Sequence, residues 1–324
     1  MKRRRLQAGD YTVGWICALP IELAAAEEML DEEDESLAQD SSDDNLYTLG
    51  RICDHNVVLA YLPAGQTGTH SAATVAARMR SKFASICFGL MVGIGGGVPT
   101  PESDIRLGDV VISQPYLQHG GVVQYDFGKT GAGGHITRTG WLNAPPVVLL
   151  NAVSKLQALH YRSRSNLATY LSTFDPLEHF SRSIVGPDIL FEATYNHIRG
   201  ATYKQCSKEK EVKRTPRVAQ GVAIHYGIIV LGNQVIKDAI IRDRISKELG
   251  GVMCFEIEAA GLMNNLPCLI IRGICNYTDS HKNKKWQPYA AATAATYTKE
   301  ILSVIPAAKV VTTRTVNKAT IYVY

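Results

Sequence analysis

The sequence predicts one α/β domain, built on a mixed or largely parallel sheet with helices on both of its faces. Continuous apolar runs of strand length alternate with helical patterns along the 324 residues, as strands buried on both sides do. The composition, 46% hydrophobic and 20% charged, is that of a globular chain with enough apolar residues for one sizeable core. No internal repeat divides the chain, and its one long polar stretch, about 161–218, reads as a loop-rich insertion.

The elements follow in order. "YTVGWICALPIEL" predicts a buried strand from Val13 to Ala18 that turns at Pro20 into a helix with Glu22 in its first turn. "DEEDESLAQDSSDD" is acidic and poor in hydrophobics, hence a solvated loop or helix end; it lacks the central Gly of a calcium loop. "NVVLAYLP" reads as a strand, "GTHSAATVAARMRSKF" as a helix, "SICFGLMVGIGGGVP" as a buried strand running into glycines, and "GDVVISQP" as another strand. "GKTGAGGH" has the composition of a flexible surface segment. "PPVVLLNAVSKLQAL" is helical, and the basic cluster "KEKEVKRTPR" of the insertion reads as exposed. "IHYGIIVLG" is a strand, "NQVIKDAIIRDRISKEL" a helix, "GVMCFEIEAAGLMNNL" a strand or bend entering a helix, "CLIIRGICN" a strand and "YAAATAATYTKEILSVI" a closing helix. Three regions result: a basic disordered terminus over 1–10, the domain over 11–306, and a β-prone tail over 307–324.

Several function classes drop out. The net charge is only +4, and the start "MKRRR" reads as a solvated terminus rather than an arm for nucleic acid. No apolar run reaches the ~18 residues of a membrane span, and no hydrophobic segment follows the basic start as a signal peptide requires. Of seven cysteines, Cys17, Cys87, Cys254, Cys268 and Cys275 sit in apolar runs, and no CxxC pair occurs. They read as small buried hydrophobes in a reducing cytoplasm, with no disulfide framework, metal or cofactor.

Ligands of such sheets collect at the carboxyl ends of strands. Four ends matter here: Ala18–Glu22, Gly93–Gly97, Gly232–Asn233 and Asn276–Asp279. "VGIGGGVP" fails the dinucleotide fingerprint, because Pro99, Pro101 and Asp104 follow where a helix should open. A structural turn and a ligand cradle fit its glycines equally. In "CFEIEAAG", Glu256 and Glu258 stand two apart in an apolar stretch, and buried carboxylates are costly unless paired. They are either acids at a helix N-terminus or a carboxylate that takes a sugar diol. Glu22 is either a helix cap or a base over a pocket.

Taken together, "WICALPIELAAAEEML", "MVGIGGGVP", "DIRLGDVVIS", "GGVVQYDFGK", "IHYG…GNQVIKD", "CFEIEAAGLMN" and "IRGICNYTDSHKNKKWQPYAAATAA" resemble the nucleoside phosphorylase and nucleosidase superfamily. The likeness is greatest to the fungal modules that stand alone or lead NOD-like receptor proteins, and it spans about Tyr11 to Pro306. It implies a barrel-like mixed sheet and cleavage of an N-glycosidic bond through an oxocarbenium-like transition state. It also implies a purine nucleoside or nucleotide as ligand and a homodimer or higher homo-oligomer.

The site residues are carried over position by position. Glu258 matches the Glu that holds the ribose hydroxyls, with Ile257 against the sugar and Glu256 and Phe255 beside it. Asn233, Gln234, Val235 and Ile236 fall where nucleosidases pack the purine. Gly93, Ile94 and Gly95 form the strand end beneath. Phe127 falls where dimeric members lend an aromatic to the neighbouring pocket. Asp279 is the obvious substitute acid for position 276, but it matches a family Asp in its own right and reads rather as a structural or loop-capping residue. Phosphorylases place an Arg and a Ser where this chain has Met91 and Ile94, which cannot bind phosphate. Glu22 matches the acid that activates water, so hydrolysis is expected, with phosphorolysis as the alternative. Two positions depart from the pattern. Leu231 replaces a small polar residue, and Asn276 stands where the family has its acid, the Asp that protonates the leaving base. An introduced inactivating change, a nucleoside-binding pseudoenzyme and a working Asn variant all fit that amide.

Overall fold

The structure, a computed structural model, describes residues 3–38, 43–132, 136–198, 200, 202–217, 221–308 and 310. Its first strand, Val13–Cys17 (β1), is buried throughout. Pro20 then opens helix Pro20–Glu28 (α1), where a proline's missing N–H costs nothing. Strands Glu32–Glu33 (β2), Tyr47–Ile52 (β3) and His55–Tyr61 (β4) precede helix Thr69–Lys82 (α2). Phe88–Gly97 (β5), Val110–Ser113 (β6), Val122–Gln124 (β7), Gly128–Thr130 (β8) and Ile136–Arg138 (β9) follow, then helices Val147–Tyr161 (α3) and Leu167–Leu171 (α4). After the insertion come Ile224–Leu231 (β10), Ala239–Glu248 (α5), Val252–Glu256 (β11), Ala260–Met263 (α6), Cys268–Asn276 (β12) and Gln287–Ser303 (α7).

The main sheet runs β11-β10-β6-β12-β5-β1-β4-β3-β2, and an extra pairing of β11 with β5 closes five strands into a barrel-like ring. Most pairs are parallel; β11–β5, β12–β6, β2–β3 and β3–β4 are antiparallel. Side chains alternate between two cores. Val13, Trp15 and Cys17 face one with α1, α3 and α7, and Ile16 faces the other with α2 and α6. The predicted single α/β domain is thus observed, and the ring gathers the ends of β5, β11 and β12 at one place.

Five expectations need correction. Residues 3–10 are not a free tail: Arg4 forks onto buried Asp34, its Nε 2.7 Å from Oδ1, and Arg3 pairs with Glu33. The basic start and the acidic run therefore neutralise each other. Of "GKTGAGGH", Gly128–Thr130 forms a hairpin with Ile136–Arg138, while residues 133–135 lie outside the described residues. The helix expected from Asn233 begins only at Ala239, capped by Asp238 through Ile240 N and Ile241 N. The basic cluster is not wholly exposed: Arg214 pairs with Asp188, and Arg217 with Asp104 and Asp109. The tail enters a short helical stretch at Ala307 and Ala308; residues 311–324 lie outside the described residues. The insertion carries α4 and several 3-10 turns. Among the described residues, no helix is long and apolar enough to cross a membrane.

Candidate active site

Gly93 lies mid-way along β5, and its register partner on β12 is Arg272. Any Cβ at Gly93 would fall 2.5 Å from Arg272 Nη1 and 2.6 Å from Glu22 Cδ. A carboxylate from α1 and a guanidinium from β12 thus meet over one bare backbone position, which only glycine permits. Glu22 Oε2 accepts from Ala18 N (2.7 Å) and Leu19 N (3.0 Å), and Oε1 accepts from Ile94 N (2.8 Å). So Glu22 caps its helix and also spans to β5. Burial pushes its carboxyl above the ordinary value, against the pull of Arg272 and the three N–H donors.

Arg272 donates from Nη2 to Glu256 and to Glu258 Oε2, the latter at 3.4 Å. Glu22, Glu256, Glu258 and Arg272 are 4%, 7%, 6% and 0% exposed. Three carboxylates share one cation in a dry site. Burial first, then Glu256 and Glu22, push the Glu258 carboxyl up to about 8 despite Arg272. Glu256 also accepts from Glu258 N (2.9 Å) and Ala259 N (3.0 Å), at the entry to α6. Of the two acids, Glu256 is therefore the helix-capping one, and Glu258 has no such backbone partner among the described residues.

Asn276 ends β12 just after a register shift between β12 and β5, of the kind that re-aims a side chain at an active site. Its Oδ1 accepts from Thr278 N at 2.9 Å, and its Nδ2 points at Cys275 Sγ, 3.1 Å away. Thr278 holds a left-handed φ of 54°, unusual for a β-branched residue, and its buried hydroxyl has no hydrogen-bond partner. Gly96 makes room for both: a Cβ there would sit 2.9 Å from Asn276 Oδ1 and still closer to Thr278 Oγ1. A cleft of about 40 Å³ opens here, lined by Gly96, Gln234, Val235, Ile236, Phe255, Glu256, Ile257, Asn276, Thr278 and Lys282. Lys282 is the one cation of that lining; burial first, then Lys237, lowers its ammonium pKa. Larger hollows of about 300 and 490 Å³ lie elsewhere and carry no comparable carboxylate cluster.

The structure therefore brings together Glu22, Gly93 and Ile94 under Arg272, and Phe255, Glu256, Ile257, Gln234, Val235, Ile236 and Asn276 around the cleft, with Glu258 between the two groups. Gly95 packs beneath, against Cys254. Asn233 stands outside the lining, donating to Asp126 Oδ2. Asp279 accepts from His281 N within its own loop. Phe127 is exposed and borders the 300 Å³ hollow instead. Met91 and Leu231 are core residues. Sequence reasoning missed Arg272 and Lys282. The signal for Arg272 was in plain sight: a lone cation inside the apolar strand "CLIIRGICN" must have buried counter-charges.

No protein-family model matches the chain. An NLR-like protein of Hyaloscypha variabilis is 46% identical over 94% of the chain, which spans only 30% of that protein's length. The 5'-methylthioadenosine/S-adenosylhomocysteine nucleosidase of Mycobacterium bovis is 26% identical over 91% of the chain and 97% of its own length. The ATP nucleosidase Cap17 of Escherichia coli is 25% identical, with half of its length matched. Among solved structures, the corresponding nucleosidase of Neisseria meningitidis, in complex with methylthio-immucillin-A, superposes with a TM-score of 0.57 at 19% identity, over 90% of this chain and 98% of that one. The near full-length match is to a nucleosidase, and the fold is the one shared with solved nucleosidases, so the chain is similar in sequence and fold to members of the nucleoside phosphorylase/nucleosidase superfamily.

Proposed function

We propose that this chain hydrolyses the N-glycosidic bond of an adenosine-like purine nucleoside or nucleotide, giving free base and ribose or ribose phosphate. The observation that carries this reading is the buried group of Glu22, Arg272 and Glu258 beside the Asn276 cleft. Glu258, whose carboxyl burial raises, stands where it can hold the ribose hydroxyls. Glu22 keeps lone-pair capacity beyond its three backbone donors and orients water toward the anomeric carbon. Met91 is buried and neither it nor Ile94 offers a side-chain donor to a phosphate oxygen, which favours water over phosphate as the nucleophile. The purine stacks among Val235, Ile236 and Phe255. Asn276 Nδ2 donates to the departing base, and the Lys282 ammonium offsets the charge that develops on it.

The named activities of the relatives support this reading, Cap17 pointing to a nucleotide and the mycobacterial enzyme to a 5'-thioether. The seven free cysteines fit a cytoplasmic setting, and exposed Phe127 and Trp141 fit a homo-oligomer. Product analysis tests the reaction. Adenosine, methylthioadenosine and ATP are each incubated with and without phosphate and resolved by chromatography. Adenine release independent of phosphate is expected; phosphate-dependent ribose 1-phosphate overturns hydrolysis. A second reading, a non-catalytic nucleotide sensor, rests on the same amide: Asn276 has no proton to give. Calorimetric binding with no adenine release over hours would favour it.

A further inference from the structure

The insertion meets the loop after Asn276 at a cluster that the proposed reaction does not use. His197, Cys206 and His281 each present one ligand atom, all within 4.8 Å of one another. Cys206 Sγ lies 3.4 Å from His197 Nδ1. A sulfur and a nitrogen bound to one tetrahedral zinc, at their usual lengths, stand about 3.6 Å apart. His197 Nε2 faces the Gly200 carbonyl at 2.8 Å. A carbonyl only accepts, so Nε2 carries the hydrogen and Nδ1 keeps its lone pair toward the sulfur. That outer contact is how a metal-ligating imidazole is oriented.

His281 is 4% exposed, and neither ring nitrogen has a hydrogen-bond partner. Leaving such a ring unpaired in the interior is costly and asks for an explanation. Phe191 stacks on it at 4.2 Å between centroids and Tyr195 at 5.6 Å, which fixes the ring plane and shelters it from water. Asp279 Oδ2 stands 3.6 Å from His281 Nδ1. The Asp279 carboxylate is thus a nearby acceptor that can orient the ring.

We propose that His197, Cys206 and His281 form a zinc site that clasps the insertion to the loop following Asn276. One thiolate and two imidazoles suit zinc and disfavour magnesium or calcium, which seek oxygen. Three protein ligands leave a fourth position for water. Binding releases the Cys206 thiol proton to solvent. Ordinary motif reading misses the site because its ligands come from two distant segments with no CxxC spacing.

The test uses the full chain, stripped of metal and titrated with zinc chloride against a chromophoric chelator. About one zinc per chain is expected, with affinity at least tenfold weaker in Cys206→Ser and His281→Gln and unchanged in Cys53→Ser, a thiol outside the cluster. Cobalt should give a sulfur-to-metal charge-transfer band in the parent chain that Cys206→Ser lacks. Cys206 is partly exposed, so its serine variant should fold, as circular dichroism will check, and it decides the matter if His281→Gln does not. Absence of stoichiometric binding by the parent chain, or undiminished binding by Cys206→Ser, overturns the proposal.

Discussion

Asn276 is committed on both sides of its amide. Oδ1 accepts from Thr278 N and closes the turn, and Nδ2 donates one of its two hydrogens to Cys275 Sγ. An aspartate would close the same turn and add a proton, so Asn276→Asp should fold normally and raise base release at least tenfold, within the ~10²–10⁴ a general acid supplies. Steady-state turnover on the best substrate is the measurement, and unchanged turnover would place the acid elsewhere. Glu258 gives a prediction in pH. Its folded value, about 8, lies above the ordinary 4.5, so the folded chain holds a proton the unfolded chain has lost. That stabilisation is fully present below about pH 4.5 and is lost as pH rises through about 8. Glu258→Gln removes the titration, so its melting temperature should gain on the parent's across that window, by a few degrees. The same variant should lose preference for nucleoside over free base. Parallel melting profiles would mean that Glu258 is ionised throughout.

The connection from β10 to α5 decides access to the cleft. Val235 and Ile236 were expected in a helix, because an apolar period looks the same whether it faces a core or a pocket. In the structure Asp238 is the N-cap that sets where α5 starts. The cleft holds about 40 Å³, room for roughly one water, and ligand pockets are usually several-fold larger. On the proposed function, the segment carrying Gln234, Val235 and Ile236 is expected to shift when a nucleoside enters. Hydrogen exchange of their amides should slow on binding adenosine, together with that of 277–282, and unchanged exchange in both segments would put the ligand elsewhere. Other elements were legible for clear reasons. β1 is buried throughout, β12 is apolar up to Asn276 apart from Arg272, and Pro20 marks the entry of α1. The glycines of "VGIGGGVP" left a turn and a cradle open. The structure makes them the end of β5, which β11 pairs antiparallel, a long-range pairing no local pattern encodes.

At the scale of the whole molecule, the ring of β5, β12, β6, β10 and β11 explains why residues from four separate stretches converge. Charge placement was less legible than hydrophobic pattern, because ion-pair partners lie far apart in sequence. Arg4 finds Asp34, and Arg217 finds Asp109, where composition alone suggested solvated runs. The outer surface carries one feature the single chain leaves unexplained. Phe127 is 55% exposed and Trp141 83%, both lining the 300 Å³ hollow that α6 borders through Ala260 and its C-cap Asn264. Apolar rings grouped so on a surface favour association, and α6 follows directly on Glu258, so a partner seated there would reach toward the ribose end of the site. The chain should therefore run as a dimer in light scattering. Phe127→Ser combined with Trp141→Ser should yield a monomer that keeps its circular dichroism spectrum and loses at least tenfold in kcat/KM. A parent chain that is already monomeric, or a monomeric variant with full activity, would assign the rings no part in a shared site.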